Sequence, residues 1–329
     1  PTTPYLIRLY RNMDGKAVCD TVKTYPEGTI SSSAQQLNEV LCHVRDNFTS
    51  GSYGMIFSSH ATGYLPAGYY SAPGNYIFSK SGIMKSRRDP APVPYIEPDF
   101  DPSLPMVKSI GQDLAGPSSN RVSYEMELSD FAEAIPMKLD YILFDACFMG
   151  CIEVAYELKD KCDRICFSQT EILSNGMDYR NLLSVLFSEE EPDIEKCAEN
   201  YFNMYKDQSS SVMRSATISV VDCRRLDGLA EVVAKHSDAI NTLSVTPSSK
   251  NKVQGYFQPR YSRYHGIFFD LESAIKESGA TADELEELSS ALEDCVVCKY
   301  ATASFLGEFA IKTHSGLSMY IPDSDRYIL

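Results

Sequence analysis

Two residues in this chain pair nucleophilic chemistry with a place at the end of a strand-like run. His60 ends YGMIFSSH (Tyr53 to His60), and Cys147 ends LDYILFDAC (Leu139 to Cys147). A thiol is mostly protonated at neutral pH, and a neighbouring imidazole helps form the thiolate that attacks a carbonyl. In open α/β sheets, functional groups gather at the carboxyl ends of strands. Two buried parallel strands, each delivering half of a Cys/His pair to one sheet edge, make the arrangement nucleophilic catalysis needs. The start of the helix after Cys147 favours negative charge. The N–H groups of Ala61 and Cys147 are the candidates to face a developing oxyanion. The competing reading makes each residue structural, because buried free cysteine commonly behaves as a small hydrophobe.

The elements that would position this pair are legible in the apolar spacing. Tyr5 to Tyr10 and Tyr53 to Ser59 read as strands, and Leu37, Val40, Leu41, Val44 and Phe48 mark a helix over Ser33 to Phe48. Further on, the spacing predicts strands at Leu139–Phe144, Arg164–Ser168, Ala216–Val221 and Leu317–Ile321. It predicts helices at Ser129–Ile135, Cys151–Leu158, Tyr179–Phe187, Ile194–Lys206, Leu226–Leu243 and Thr281–Cys295, the last capped by Thr281 or Asp283. Strands alternating with helices predict a largely parallel sheet covered on both faces.

Between these halves, residues 61–117 hold nine of the seventeen prolines. This proline-rich insertion also carries Lys80, Lys85, Arg87 and Arg88. Long irregular insertions in compact domains are usually functional or disordered.

Bulk composition narrows the classes. At 329 residues with 43% hydrophobic and 23% charged, a packed core is expected. A net charge of −15 argues against a nucleic-acid partner, which needs a basic footprint, and suits cationic partners. The apolar runs, such as Tyr141–Phe144 and Ile267–Phe269, are strand-sized, so no transmembrane segment is expected. The opening Pro1-Thr2-Thr3-Pro4 has no methionine and suggests a trimmed form.

The residues around the pair carry a resemblance. SSHATGYLP (Ser58 to Pro66) and LDYILFDACFMGCIEVAYEL (Leu139 to Leu158) resemble the clostripain family of cysteine peptidases, in the caspase- and gingipain-like clan. KTYPE (Lys23 to Glu27), FSQTE…GMDY (Phe167 to Tyr179) and GLSMYIP (Gly316 to Pro322) extend it through nearly the whole chain, and the block ending in Cys147 is its most specific part. The resemblance implies a caspase-like α/β/α sandwich around a mostly parallel sheet, as one peptidase domain over 1–329. Residues 61–117 would be a processing segment, and 224–329 a candidate C-terminal subdomain. It implies cleavage after Arg or Lys, with Cys147 as nucleophile and His60 as the proton shuttle. Asp145 would be the acidic residue of the specificity pocket, since a buried carboxylate pairs with guanidinium or ammonium. Asp178 is a second candidate for that role; its other reading is an exposed helix N-cap.

Family members often cut themselves after the histidine strand, which makes Lys80, Lys85, Arg87 and Arg88 candidate self-cleavage sites. Members are commonly secreted or surface-anchored in bacteria, so an export signal removed from the mature chain is expected. No cofactor is required by the chemistry. Calcium is an option in the family, although no DxDxDG loop is present. Three departures stand out. Ala61 occupies the position where the family places glycine, the family's first strand, upstream of YLIRLY, is absent, and the proline-rich insertion is long for its position and is a candidate lid. The first two motivate an alternative: a catalytically impaired caspase-like scaffold that binds peptides or partner proteins.

Other constellations are weaker. Cys295-Val296-Val297-Cys298 has CxxC spacing, which would serve thiol redox or zinc chemistry, but it falls at a helix end and no histidine lies at finger-like spacing. His265 and His314 precede strand-like segments, and His43 and His236 fall on helices. The acidic residues Glu189 to Glu191 and Asp283 to Glu287 read as solvated surface.

Overall fold

The computed structural model describes residues 3–65, 67, 92–94, 111–115, 122–187, 191–244, 251–256 and 268–321. The chain opens with β1 (Tyr5–Arg11) and β2 (Ala17–Thr24), followed by α1 (Ala34–Asn47) and β3 (Gly54–Ser58). Three short strands come next: β4 (Pro92–Pro94), β5 (Asp113–Ala115) and β6 (Val122–Tyr124). The central part then runs α2 (Leu128–Ala134), β7 (Leu139–Asp145), α3 (Ile152–Leu158), β8 (Cys162–Phe167), α4 (Tyr179–Leu186), α5 (Ile194–Lys206) and β9 (Thr217–Asp222). The last third holds α6 (Leu226–Ala234), α7 (Ser237–Ser244), β10 (Gly255–Tyr256), β11 (Phe268–Asp270), α8 (Leu271–Glu277) and α9 (Ala282–Cys295). It closes with β12 (Val296–Ala301), β13 (Ser304–Phe305), β14 (Phe309–Ala310) and β15 (Ser318–Tyr320).

The central sheet has five strands in the order β12-β9-β8-β7-β3. β3, β7 and β8 are mutually parallel, while β9 runs against both β8 and β12. Four of the five strands therefore point the same way, and the reversal of β9 makes two of the four pairings antiparallel. Alternation along each strand feeds two cores. Ile142, Phe144, Ile165, Phe167 and Val221 pack with Phe131 of α2, Val154 of α3, Leu229 of α6 and Leu288 of α9. Tyr141, Leu143, Cys166, Ile218 and Val220 pack on the other face with Leu182 of α4 and Tyr201 and Tyr205 of α5. This is an α/β/α sandwich, and each large apolar side chain buried in it contributes about 1.5–3 kcal/mol.

Local chemistry sets several boundaries. The Ser33 hydroxyl accepts the N–H of Gln36 to start α1, and Asp193 does the same for α5 through Lys196. Thr281 and Glu284 form a reciprocal capping box on α9, which decides between the two candidate caps.

Four expectations differ from what is observed. The strand at Tyr5 does not join the central sheet; it pairs only with β2, in a two-stranded hairpin. The hairpin turns at Asn12–Gly15, where Gly15 takes φ 75°. It rests on α1 through a Lys23–Glu39 ion pair and the Arg8 guanidinium 5.2 Å from the Phe48 ring centre. Second, the helix expected over Leu226–Leu243 is two helices, because the N–H groups of Lys235 and His236 turn back to Val232 and Val233. Third, Val296–Ala301 had no predicted strand, yet it closes one edge of the sheet as β12. Fourth, residues 61–117 contain strands after all, since β4 and β5 flank β6 in a small antiparallel sheet.

The CxxC motif spans a register shift between Val296 and Cys298. Cys295 packs in one core and Cys298 against the other, so the two sulfurs lie on opposite faces of the sheet and cannot pair with each other. Burial pushes both thiols up, to about 12 and about 11. Among the described residues, no three His, Cys, Asp or Glu side chains converge as a metal-binding set, and no helix is long and apolar enough to cross a membrane.

Candidate active site

β3 and β7 are neighbours, parallel and in register from Gly54↔Tyr141 to Ser58↔Asp145. The Ser59 N–H extends the ladder by donating to the Asp145 carbonyl at 3.3 Å. His60 follows Ser58 by two residues, and Cys147 follows Asp145 by two. Both therefore leave adjacent strands at the same level of the same carboxyl edge, where neighbouring backbones run about 4.8 Å apart.

The loops beyond them are pinned together. Gly63 has φ 64°, and a Cβ there would lie 2.6 Å from the Phe148 carbonyl oxygen and 2.9 Å from the Phe268 ring. Phe148, the residue after the cysteine, itself holds φ 58°. A bulky residue in the left-handed region is strained, and such strain persists where surrounding contacts over-determine it. Here the Phe148 ring stacks on Phe268 at 5.7 Å and its N–H donates to the Thr170 carbonyl at 3.0 Å. Ala61 is buried and is not among the non-glycine residues with positive φ, which in the described structure are Phe148 and Leu306. Alanine in place of the family's glycine therefore carries no backbone strain.

Cys147 is 1% exposed. Its sulfur accepts the Ile172 N–H at 3.4 Å and lies 3.9 Å from the Ile172 carbonyl oxygen. The run Ser168-Gln169-Thr170-Glu171, which leads into Ile172, is fully buried. Gln169 donates to Ser219 and to the Gly316 carbonyl, both at 2.8 Å, and the Gly150 N–H reaches the Ser168 carbonyl at 2.8 Å. From the other side, the Ser318 N–H and hydroxyl both donate to the Gly150 carbonyl. Four separated segments thus hold the cysteine turn. α3 starts at Ile152, beyond the residues of that turn.

Asp145 is fully buried. Its Oδ2 accepts the Ser58 hydroxyl at 2.9 Å and the Tyr179 hydroxyl at 2.5 Å. Gly176, at φ 65°, packs so close that a Cβ would sit 2.8 Å from the same oxygen. The Tyr205 hydroxyl holds this turn by donating to the Gly176 carbonyl at 2.9 Å. Burial, and then the bond to Asp145, push the Tyr179 hydroxyl above its usual range, so it stays protonated as a donor. Asp178 is the N-cap residue of α4, but its side chain makes no cap bond and accepts Asn181 Nδ2 at 2.7 Å instead. It lines a groove of about 680 Å³ with Asn175, Met177, Tyr179, Asn200 and Asn203.

Lys80, Lys85, Arg87, Arg88 and His265 lie outside the described residues. His314 belongs to a buried network with Tyr256, 3.2 Å away, and Asp270, and burial pushes its imidazole down to about 4. His236 sits buried at the α6–α7 break. The sequence reading assigned no role to Ser58, Ile172, Gln169 or Tyr179. The signal was available in part, since SQTE is a polar run directly after a buried strand at the same carboxyl edge.

Fold and site together define a cysteine peptidase with a caspase-like sandwich. A model of the clostripain family (peptidase C11) matches residues 100–328, and the chain belongs to that family. No curated protein matches the chain. Solved structures share the fold. An inactive zymogen C11 protease from Parabacteroides distasonis aligns with 24% identity and a TM-score of 0.73, over 98% of this chain and 79% of that one. A secreted C11 cysteine protease from Bacteroides thetaiotaomicron, "iotapain", aligns with 22% identity and a TM-score of 0.71, over 99% and 81%. A secreted C11 cysteine protease from the same organism, in complex with an irreversible peptide inhibitor, aligns with 22% identity and a TM-score of 0.71, over 97% and 79%.

Proposed function

We propose that this peptidase cleaves peptide bonds after arginine or lysine through a Cys147/His60 dyad. One observation carries the reading: His60 and Cys147 leave adjacent parallel strands at one level, next to the buried Asp145 carboxylate. His60 takes the thiol proton, and the Cys147 sulfur attacks the scissile carbonyl. The amides of Cys147 and Ala61 stabilise the tetrahedral oxyanion. The intermediate collapses, the C–N bond breaks, and His60 returns the proton to the departing amine, leaving a thioester. Water then adds with His60 as base, the C–S bond breaks, and the acid product leaves. Asp145 sets the preference for a basic side chain before the scissile bond, with Asp178 as a second carboxylate in the adjoining groove.

Self-cleavage at Lys80, Lys85, Arg87 or Arg88 fits the same specificity, and a structural relative is described as an inactive zymogen. Export fits as well, since another is described as secreted. The dyad requires no cofactor. A calcium dependence would appear as activity lost in EDTA and restored by calcium.

Matched fluorogenic peptides ending in Arg, Lys or Asp test the proposal. Cleavage after Arg and Lys is expected for the wild type, none for Cys147→Ala or His60→Ala, and a collapse of basic preference for Asp145→Asn. Intact mass over time, beside Cys147→Ala, reads self-cleavage. Equal turnover of all three peptides, or activity surviving in Cys147→Ala, would overturn the reading. Failure of an arginyl electrophile to label Cys147 selectively would favour the peptide-binding scaffold.

A further inference from the structure

The geometry points to Tyr179 as a specificity-determining gate: its hydroxyl occupies Oδ2 of Asp145, and it swings out to yield that oxygen when a basic substrate side chain binds. The inference rests on the reading of Asp145 as the specificity carboxylate.

Asp145 has no exposed surface, so no substrate cation contacts it without a movement. Its two hydroxyl partners on Oδ2 differ in how they are held. Ser58 belongs to β3 and is tied by ladder hydrogen bonds to β7, the strand that carries Asp145. Tyr179 begins α4, at the end of the connection that leads out of β8, and is 48% exposed. Its ring lines the open groove beside Asp178 while its hydroxyl reaches inward to Asp145. Gly176, in the same connection, roofs the same oxygen, and Ile172, earlier in that connection, contacts the Cys147 sulfur. One connection therefore covers both the nucleophile and the carboxylate. Tyr179 is the partner with solvent to move into and a groove in which to rest.

The chemistry favours exchange. The Tyr179 bond to the carboxylate has charge on the acceptor alone, whereas a guanidinium or ammonium brings charge on both partners and, for guanidinium, a two-pronged fork of donors. The basic side chain displaces Tyr179 Oη from Asp145 Oδ2, and the phenol takes hydrogen bonds from water in the groove. Ser58 stays and orients the carboxylate. A neutral side chain cannot open the gate, so the closed state discriminates against it.

The test uses n-butylguanidinium as a non-hydrolysable probe of the pocket, with its affinity for the intact chain measured by calorimetry. Tyr179→Phe keeps the ring and removes only the competing donor, so its Kd should fall about ten- to a hundred-fold, the worth of one net hydrogen bond to a charged group. Ser58→Ala should weaken binding, because it removes the fixed donor. Asp145→Asn should abolish it. In turnover, Tyr179→Phe should lower KM for Arg and Lys peptides with kcat little changed. An unchanged or raised Kd in Tyr179→Phe, with binding still lost in Asp145→Asn, would overturn the gate and leave the Asp145 reading intact. Binding that survives in Asp145→Asn, or is absent from every protein, would overturn the pocket and the gate together.

Discussion

At the scale of single residues, the histidine loop depends on a backbone position that L-residues avoid. Gly63 holds the histidine loop against the Phe148 carbonyl at a positive φ, with no room for a Cβ. Gly63→Ala must therefore both adopt a left-handed conformation, at about 1–2 kcal/mol, and push the cysteine turn away. We expect a stability loss of at least that size in urea unfolding. A loss of more than ten-fold in kcat/KM should accompany it, since an ångström of misplacement at the proposed Cys147/His60 dyad is costly. Gln169 makes the complementary prediction. Its amide spans Ser219 and the Gly316 carbonyl inside the protein. Gln169→Leu removes both bonds, while the Ser219 hydroxyl still donates to the Gly316 carbonyl at 2.6 Å, and should cost about 1–3 kcal/mol for the two, read as a lower urea midpoint with an unchanged slope.

At the scale of elements, what matters is which edge each strand end reaches. The β3–β7 pairing brings His60 and Cys147 to one level, and the β8–α4 connection closes over Cys147 and Asp145. Elements remote from that edge should affect stability without touching specificity. α9 is such an element: its capping box joins Thr281 and Glu284 at the surface. Thr281→Ala should lower stability by about 1 kcal/mol and leave substrate preference unchanged, a separation that parallel unfolding and turnover assays would resolve.

At the scale of the whole molecule, the net charge of −15 frames the pH response. One group stands out. Burial, followed by the nearby Asp130 and Glu125 carboxylates, raises the Glu127 carboxyl to about 7, although the Ala67 N–H at 3.3 Å opposes this. Ala67 lies in the chain that follows His60, so Glu127 helps tie that segment to α2. With its pKa higher folded than unfolded, the folded state binds more protons in the window between the two values. Stability therefore falls as pH rises from about 4.5 to about 7, and the full cost remains above that. Glu127→Gln should flatten this slope and stabilise the protein at pH 8 relative to pH 4.5. A wild type whose unfolding midpoint rises through the window would contradict the assignment.

The sequence alone placed His60 and Cys147 just beyond the ends of two strands, because a local apolar run is enough to mark such an end, while their reading as a catalytic pair leaned on the clostripain resemblance. It also placed most helices and their caps, which depend on neighbours three or four residues apart. Long-range contacts lay beyond it. β1 reads as a strand, but only tertiary pairing decides that it joins β2 and not the sheet. Val296–Ala301 follows a helix with no break in composition, and becomes β12 because β9 offers it an edge. The CxxC spacing is compatible with a redox pair, and only the packing of Cys295 in one core and Cys298 against the other excludes it. Asp145 was legible as a carboxylate near the nucleophile. Its closure by Ser58 and Tyr179, 87 and 34 residues away, was not. Periodicity encodes which face a side chain takes within its own element. Which distant hydroxyl meets a carboxylate is settled only when the sheet and its connections pack.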